Sequence, residues 1–407
     1  MNAAIGGGFG TVYTHTNHAH TGINTMNNTP KRWIAPARAF VSAAALTAVG
    51  CLFSSVAVAQ QSMNELFNAF DITEAQVLEQ LVVINNNPST QTARNDLKTH
   101  LEMTATMDSH EMMAAGMDHG DAMEGLTGPY SELEVEARVA LIEGLRGQAT
   151  DDDVLAAIEN SAPINQHTAA VFKRGRGFEN QLYTIYTDNS VTNKQAAVAA
   201  AIEEYLSDDR HSVSLEPKNS TYLVSHPHAG AFKAGFPRLS GLLWSNQWMR
   251  LAAIEAVILE QLDSEFAGGI DTALERYWNK VGSAGGMTMF PAPTELPMAP
   301  AISPNLYSQS EQAAVILDNL NILQAIVADI LAYPNLDERG VIIDQLIGEY
   351  TNKESNLSNT NDYLLFALRS GIYNQGGPAV GALMQSERNR SRADMNMQHT
   401  MIMSSPQ

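Results

Sequence analysis

From about residue 71 to residue 372, apolar residues recur three and four positions apart, and runs alternating every second residue are scarce. That spacing lines one face of a helix and cannot line one face of a strand. The chain is therefore expected to be all-α, a multi-helix body without a sheet. Helices are predicted over 71–84, from near Thr90 into a Met-rich stretch, from Pro129 to about Leu145 and from Asp151. Others are predicted near 163–186, 191–206, 238–262, 270–280, 309–332, 337–350 and 360–372. Asp71-Ile72-Thr73-Glu74 reads as a capped start for the first helix, and Asn85-Asn86-Asn87-Pro88 as its stop. Asp151, Asp152 and Asp153 crowd negative charge at a helix N-terminus, where the dipole favours it, and need no metal to explain them. The stretch 284–307, with Gly285-Gly286 and Pro291, Pro293, Pro297, Pro300 and Pro304, reads as an ordered crossing or linker between helices. No period of 20–50 residues repeats, which excludes a solenoid.

Charge and cysteine narrow the function classes. Acids outnumber bases 44 to 24, a formal charge of −20. Nucleic acid needs clustered Lys and Arg, and an anionic membrane surface needs the same, so neither is an expected partner. A single cysteine excludes a disulfide scaffold, a zinc ribbon and an iron–sulfur centre.

The N-terminus reads as an export signal. Lys31, Arg32 and Arg38 precede an uncharged stretch from Ala39 to Ala59, which ends Ala57-Val58-Ala59 before Gln60-Gln61. A basic region, an apolar region and a small-x-small cleavage site define a signal peptide. Met26 is the natural start, with residues 1–25 an upstream extension. The rival readings are an uncleaved anchor helix and lipidation at Cys51. The terminal Ala-x-Ala favours cleavage over an anchor. Ala48-Val49-Gly50 is a poor lipobox, and the chain stays apolar past Cys51. Cleavage after Ala59 removes three bases, no acid and the only thiol, taking the charge to −23. An exported chain without disulfides points to a bacterial periplasm, with no membrane association after cleavage. The expected organisation is extension 1–25, signal peptide 26–59, N-terminal helices 60–99, Met/His-rich segment 100–125, helical body 126–384 and Met/His-rich tail 385–407.

Ten of the eighteen methionines fall in two short segments. Met103, Met107, Met112, Met113, Met117 and Met123 are interleaved with His110 and His119 and flanked by His100. The tail places Met395, Met397, His399, Met401 and Met403 at strict alternation. Thioether sulfur is a soft ligand that needs no deprotonation and selects Cu(I) or Ag(I) over Zn(II), Mg(II) or Ca(II). Imidazole accepts either copper oxidation state. On a helix, Met103, Met107, His110 and Met117 fall near one face, and in an extended tail all five C-terminal donors share one side. A core stripe and a low-complexity oxidant sink compete with metal binding. A core stripe would carry Leu, Ile, Val or aromatics, which the first segment lacks after Leu101 until Leu126. An oxidant sink would need no metal geometry.

Met117-Asp118-His119-Gly120, with Met112, Met113 and Met123 around it, resembles the Met/His repeats of periplasmic bacterial copper-resistance proteins. The tail is similar to the Met-x-Met elements of copper chaperones and efflux adaptors. The resemblance covers about 30 residues and does not extend to the helical body. It implies Cu(I) binding or tolerance, with a copper exporter or oxidase as partner. The ligand patterns of blue-copper proteins and multicopper oxidases are missing, with no Cys and no His-x-His pairs along strands, so oxidase activity is not implied.

A second candidate site lies in the body. Tyr222 to Glu260 holds His226-Pro227-His228, Phe232, Phe236-Pro237-Arg238 and a helix on which Trp244, Trp248, Leu251 and Glu255 form one stripe. A carboxylate in an apolar stripe needs a partner or a raised pKa. His226, His228, Trp248 and Glu255 are thus candidate ligand-binding or acid–base residues. A structural ion pair of Glu255 with Arg250 or Arg369 is the plainer alternative. Lys173-Arg174-Gly175-Arg176 is a basic knot that would bind an anion or pair with nearby carboxylates. Nucleophile-elbow, Walker, zincin and haem-attachment motifs are absent from the sequence, so no specific enzyme is indicated. The sequence favours an exported all-α protein that binds Cu(I), and also Ag(I), for copper tolerance, storage or delivery. The rivals are a helical ligand-binding or partner-docking protein with its site at His226–Glu255, and an enzyme using those residues.

Overall fold

The computed structural model describes residues 41–106, 128–147, 149–161, 163–218, 222–281, 296–354 and 362–367. Among them there is no strand, and the all-α expectation holds. The chain divides into two units, 1–53 and 54–407; the second holds every contact described below.

Helix α1 (Val41–Asn85) is followed by α2 (Gln91–Thr106), α3 (Ser131–Leu145), α4 (Asp151–Glu159), α5 (Gln166–Thr187) and α6 (Lys194–Leu206). Then come the short α7 (Tyr222–Ser225) and α8 (Ala231–Gly235), the long α9 (Pro237–Leu262), and α10 (Gly269–Val281). The short α11 (Ala299–Ile302) and α12 (Pro304–Gln309) precede the long α13 (Glu311–Ala332) and α14 (Arg339–Thr351).

Two helices form the centre. Every residue of α9 from Pro237 to Ile258, and of α13 from Ala313 to Ala332, is buried. A helix buried all round has to be enclosed by others, and the polar groups it carries have to find partners inside. Helices α10, α12, α5 and α3 pack on α9; α8, α14, α12 and α5 pack on α13. By length and composition α13 would also cross a bilayer, but nearly all of its apolar window is buried inside the molecule, as in a core helix. The close approach of α5 to α13 depends on Gly175: a Cβ there would lie 2.5 Å from Leu320 Cδ2 and 2.6 Å from its Cδ1. Leu320 is itself buried, so it has no free direction in which to yield.

Most predicted helices appear within a few residues of their expected ends, and three local readings are refined. α1 does not start at Asp71; it runs through Asp71 and Glu74, whose side chains are buried. Asn85 ends it as expected, with Asn85 Nδ2 donating to the carbonyls of Leu331 and Ala332. Thr150 and Asp153 close a capping box on α4, and Asp151 accepts from Asn68 Nδ2 at 2.8 Å. The described part of the proline-rich stretch holds two short helices, with Pro300 and Pro304 in the first turns of α11 and α12.

Candidate functional site

Four short or buried helix starts lack a side-chain cap of their own, and each receives one from a distant buried carboxylate. The N-terminal amides of a helix have no intrahelical acceptors and carry partial positive charge, so a carboxylate is their strongest available partner. Glu134 on α3 accepts from the backbone N–H of Arg238 (2.6 Å) and Leu239 (2.9 Å) at the start of α9, and from the Arg238 guanidinium at 3.3 Å. Asp318 on α13 accepts from Ala299 N at 2.8 Å, at the start of α11, and from Tyr363 Oη at 2.7 Å. Asp329, also on α13, accepts from Phe232 N at 2.9 Å, at the start of α8, and from His226 Nε2 at 3.1 Å.

Glu255 is the fourth. It is 0% exposed, on the stripe with the buried Trp244, Trp248 and Leu251. Its partners are Asn305 N (3.1 Å), Asn305 Nδ2 (2.7 Å) and Ser303 Oγ (3.1 Å), all at the start of α12. Burial pushes its pKa up against the pull of these donors. Burial also raises Glu134, and takes Asp318 to about 7. The expected pairing of Glu255 with Arg250 does not occur, because Arg250 belongs to another cluster; Arg369 lies outside the described residues.

His226 is buried with both ring nitrogens engaged: Nε2–H donates to Asp329, and Nδ1 accepts from the His228 backbone N–H at 3.3 Å. Both ring nitrogens thus face protein partners. His228 is half-buried with its ring edge-on to Tyr333, and burial lowers its pKa. The structure therefore brings His226 and His228 together around Asp329. Trp248 and Glu255 lie on α9, and Glu255 serves a different helix start.

The basic knot separates into three roles. Lys173 meets Glu159 at 3.2 Å on the surface. Arg174 donates to the carbonyls of Tyr205 (2.7 Å) and Glu204 (2.5 Å), capping the C-terminus of α6, where the dipole favours a cation. Arg176 turns inward.

Arg176 and Arg250 form a buried ionic cluster with Asp71, Glu74 and Glu179, tying α1, α5 and α9 to one another. Arg176 reaches Glu74 at 2.8 Å and Glu179 at 2.9 Å; Arg250 reaches Asp71 and Glu179, each at 2.8 Å. Gln324 on α13 joins it, receiving from Arg176 Nη2 and donating to Glu74 Oε2. Arg250 also lies over the Phe70 ring at 5.4 Å. Three carboxylates against two guanidiniums leave one negative charge in excess. Burial, despite the pull of Arg250 and Arg176, raises Asp71 to about 6. Glu179 goes the other way: burial would raise it, but Arg250 and Arg176 outweigh burial and hold it below the usual range. The adjoining cavity, lined by Leu78, Phe172 and Gln324 among others, offers about 20 Å³, room for one water and no substrate. Its chemistry is to hold helices together and to take up one proton in mild acid. Sequence reasoning misses Asp71 and Glu74 because an acid beside a helix start resembles a cap. The signal that could reveal them is their i,i+3 spacing between Phe67, Phe70, Val77 and Leu78.

Of the methionine segments, Met103 is described. It lies in the last turn of α2, 37% exposed, beside exposed His100, while Leu97 and Leu101 face the core. Met107, His110, Met112, Met113, Met117, His119, Met123, Met395, Met397, His399, Met401 and Met403 lie outside the described residues. Among the described residues no three His, Cys, Asp or Glu side chains converge as a metal site. Comparison of the chain with protein-family models, curated proteins and solved structures finds no match.

Proposed function

We propose that this chain is an exported, periplasmic Cu(I)-binding protein, whose Met/His segments carry the metal in copper tolerance, storage or delivery and whose helical body is their scaffold. The observation that carries the reading is the concentration of thioethers and imidazoles in 103–123 and 395–403. The outward face of His100 and Met103 supports it, because the first donors of the segment stand in solvent where a core stripe would turn them inward. The acid–base groups of the body favour a scaffold role, since Glu255 and the His226–Asp329 pair are engaged in capping helix starts.

Two measurements test this reading. N-terminal sequencing of the periplasmic fraction should begin at Gln60, and a cytoplasmic chain starting at Met1 or Met26 refutes export. Competition of the purified protein against a chromophoric Cu(I) chelator should show more than one bound ion, with additive loss on deleting 107–123 and 395–403. Unchanged copper uptake after both deletions refutes the metal reading.

A further inference from the structure

His167, in the first turn of α5, and His211, in the turn after α6, stand beside one another with ring centroids 5.4 Å apart. Each spends one nitrogen on an oxygen that can only accept. His167 Nε2 lies 3.0 Å from the carbonyl oxygen of Arg210, so Nε2 carries the hydrogen. His211 Nδ1 lies 2.8 Å from Asp208 Oδ2, so Nδ1 carries the hydrogen there. In the neutral form the other nitrogen of each ring, Nδ1 of His167 and Nε2 of His211, then holds a lone pair. An imidazole whose N–H is fixed by a carboxylate or a backbone carbonyl is the arrangement found behind metal-ligating histidines, since it sets the tautomer and raises ligand basicity.

The spacing agrees. With metal–nitrogen bonds of about 2.0–2.1 Å, two imidazoles on one tetrahedral ion have ring centroids roughly 5 Å apart. Both residues are half-buried, and His211 and Asp208 line the end of a surface cleft of about 490 Å³ between α5 and α6, whose wall also carries Lys173 and Arg174; His167 lies outside that lining, so solvent reaches the pair from the His211 side.

We propose that His167 and His211 form a two-histidine site for a borderline divalent transition ion of the Zn(II) class, with water in the remaining positions and Asp208 as positioning residue. The site contains no thioether, so its selectivity differs from that of the Met/His segments: imidazole pairs suit Zn(II) and its neighbours, whereas thioether favours Cu(I).

The test is Zn(II) titration of the full-length protein by calorimetry, with the metal-free circular dichroism spectrum as the fold control. His167→Ala and His211→Ala should each weaken Zn(II) binding at least tenfold. Asp208→Asn should weaken it by about 10–100-fold, as loss of an orienting carboxylate does elsewhere. Replacing His110, His119 and His399 together should leave the site intact. If His167→Ala fails to fold, His167→Gln, whose amide retains a donor for the Arg210 carbonyl, carries the same test. Zn(II) affinity unchanged in the His167 and His211 variants overturns the proposal, as does loss confined to the segment variants.

Discussion

Replacing Asp71 by Asn should remove a definable part of the pH dependence of stability. Asp71 Oδ1 accepts from Arg250 at 2.8 Å, and an Asn Oδ1 can accept the same bond, so the substitution removes charge with little change of shape. The folded chain raises Asp71 from 3.8 to about 6, with burial the largest cause. A carboxyl that is easier to protonate when folded adds stability that is fully present below its unfolded pKa and is lost as pH rises through the folded one. For these two values the linkage relation gives about 2 kcal/mol between pH 4.5 and pH 7. Other groups contribute to the wild-type curve in both directions; Glu179, held low by the arginines, loses stability as pH falls. Groups outside the cluster cancel in the difference between wild type and Asp71→Asn, whereas Glu74 and Glu179, which share Arg250 and Arg176 with Asp71, are coupled to it. Urea unfolding of both proteins at pH 4.5, 5.5 and 7 should show the wild type gaining about 2 kcal/mol on the variant toward acid. At pH 7 the variant should match or exceed the wild type, since it removes the excess charge of the cluster. Parallel curves would refute the claim that burial strains Asp71, and a variant collapsing at pH 7 would show its charge to be needed.

Two further perturbations address the core. Glu255→Ala strands the Ser303 and Asn305 donors at the start of α12 and should cost about 1–3 kcal/mol, whereas Glu255→Gln retains an acceptor and should cost less; equal melting temperatures for all three proteins would show that the capping carries no stability. Gly175→Ala drives a methyl into Leu320 and should cost about 1–3 kcal/mol, relieved by adding Leu320→Ala; additivity of the two changes in a double-mutant cycle would refute the close packing of α5 on α13.

The long helices are legible because their apolar spacing is local information. α9 and α13 stand out by apolar residues recurring three and four positions apart, and the Asn85-Asn86-Asn87-Pro88 stop and the Thr150–Asp153 box are written within four residues. The helix starts that the sequence cannot mark are those whose caps come from elsewhere. Glu134 serves an amide 104 residues away, Asp329 one at 97 and Glu255 one at 50. No window a few residues wide contains both ends of such a bond. The same distance hides the ionic cluster, in which Asp71 meets Arg250 across 179 residues. Glu255 is visible as an anomaly, a carboxylate in an apolar stripe, but the choice between an arginine and a helix start as partner depends on tertiary contacts. The short helices of the proline-rich stretch are hidden for a related reason. Its prolines break a helix when inside one and begin one when first, and only packing against α9 and α13 decides which.

The central claim, that thioethers carry Cu(I), is tested most directly by X-ray absorption at the copper edge of the anaerobic Cu(I)-loaded protein. The account predicts sulfur scatterers in the first coordination sphere, mixed with imidazole nitrogen at neutral pH. The sulfur shell should persist in mild acid, because thioethers do not titrate while imidazole protonates near pH 6.5. A coordination sphere of nitrogen and oxygen alone would contradict it.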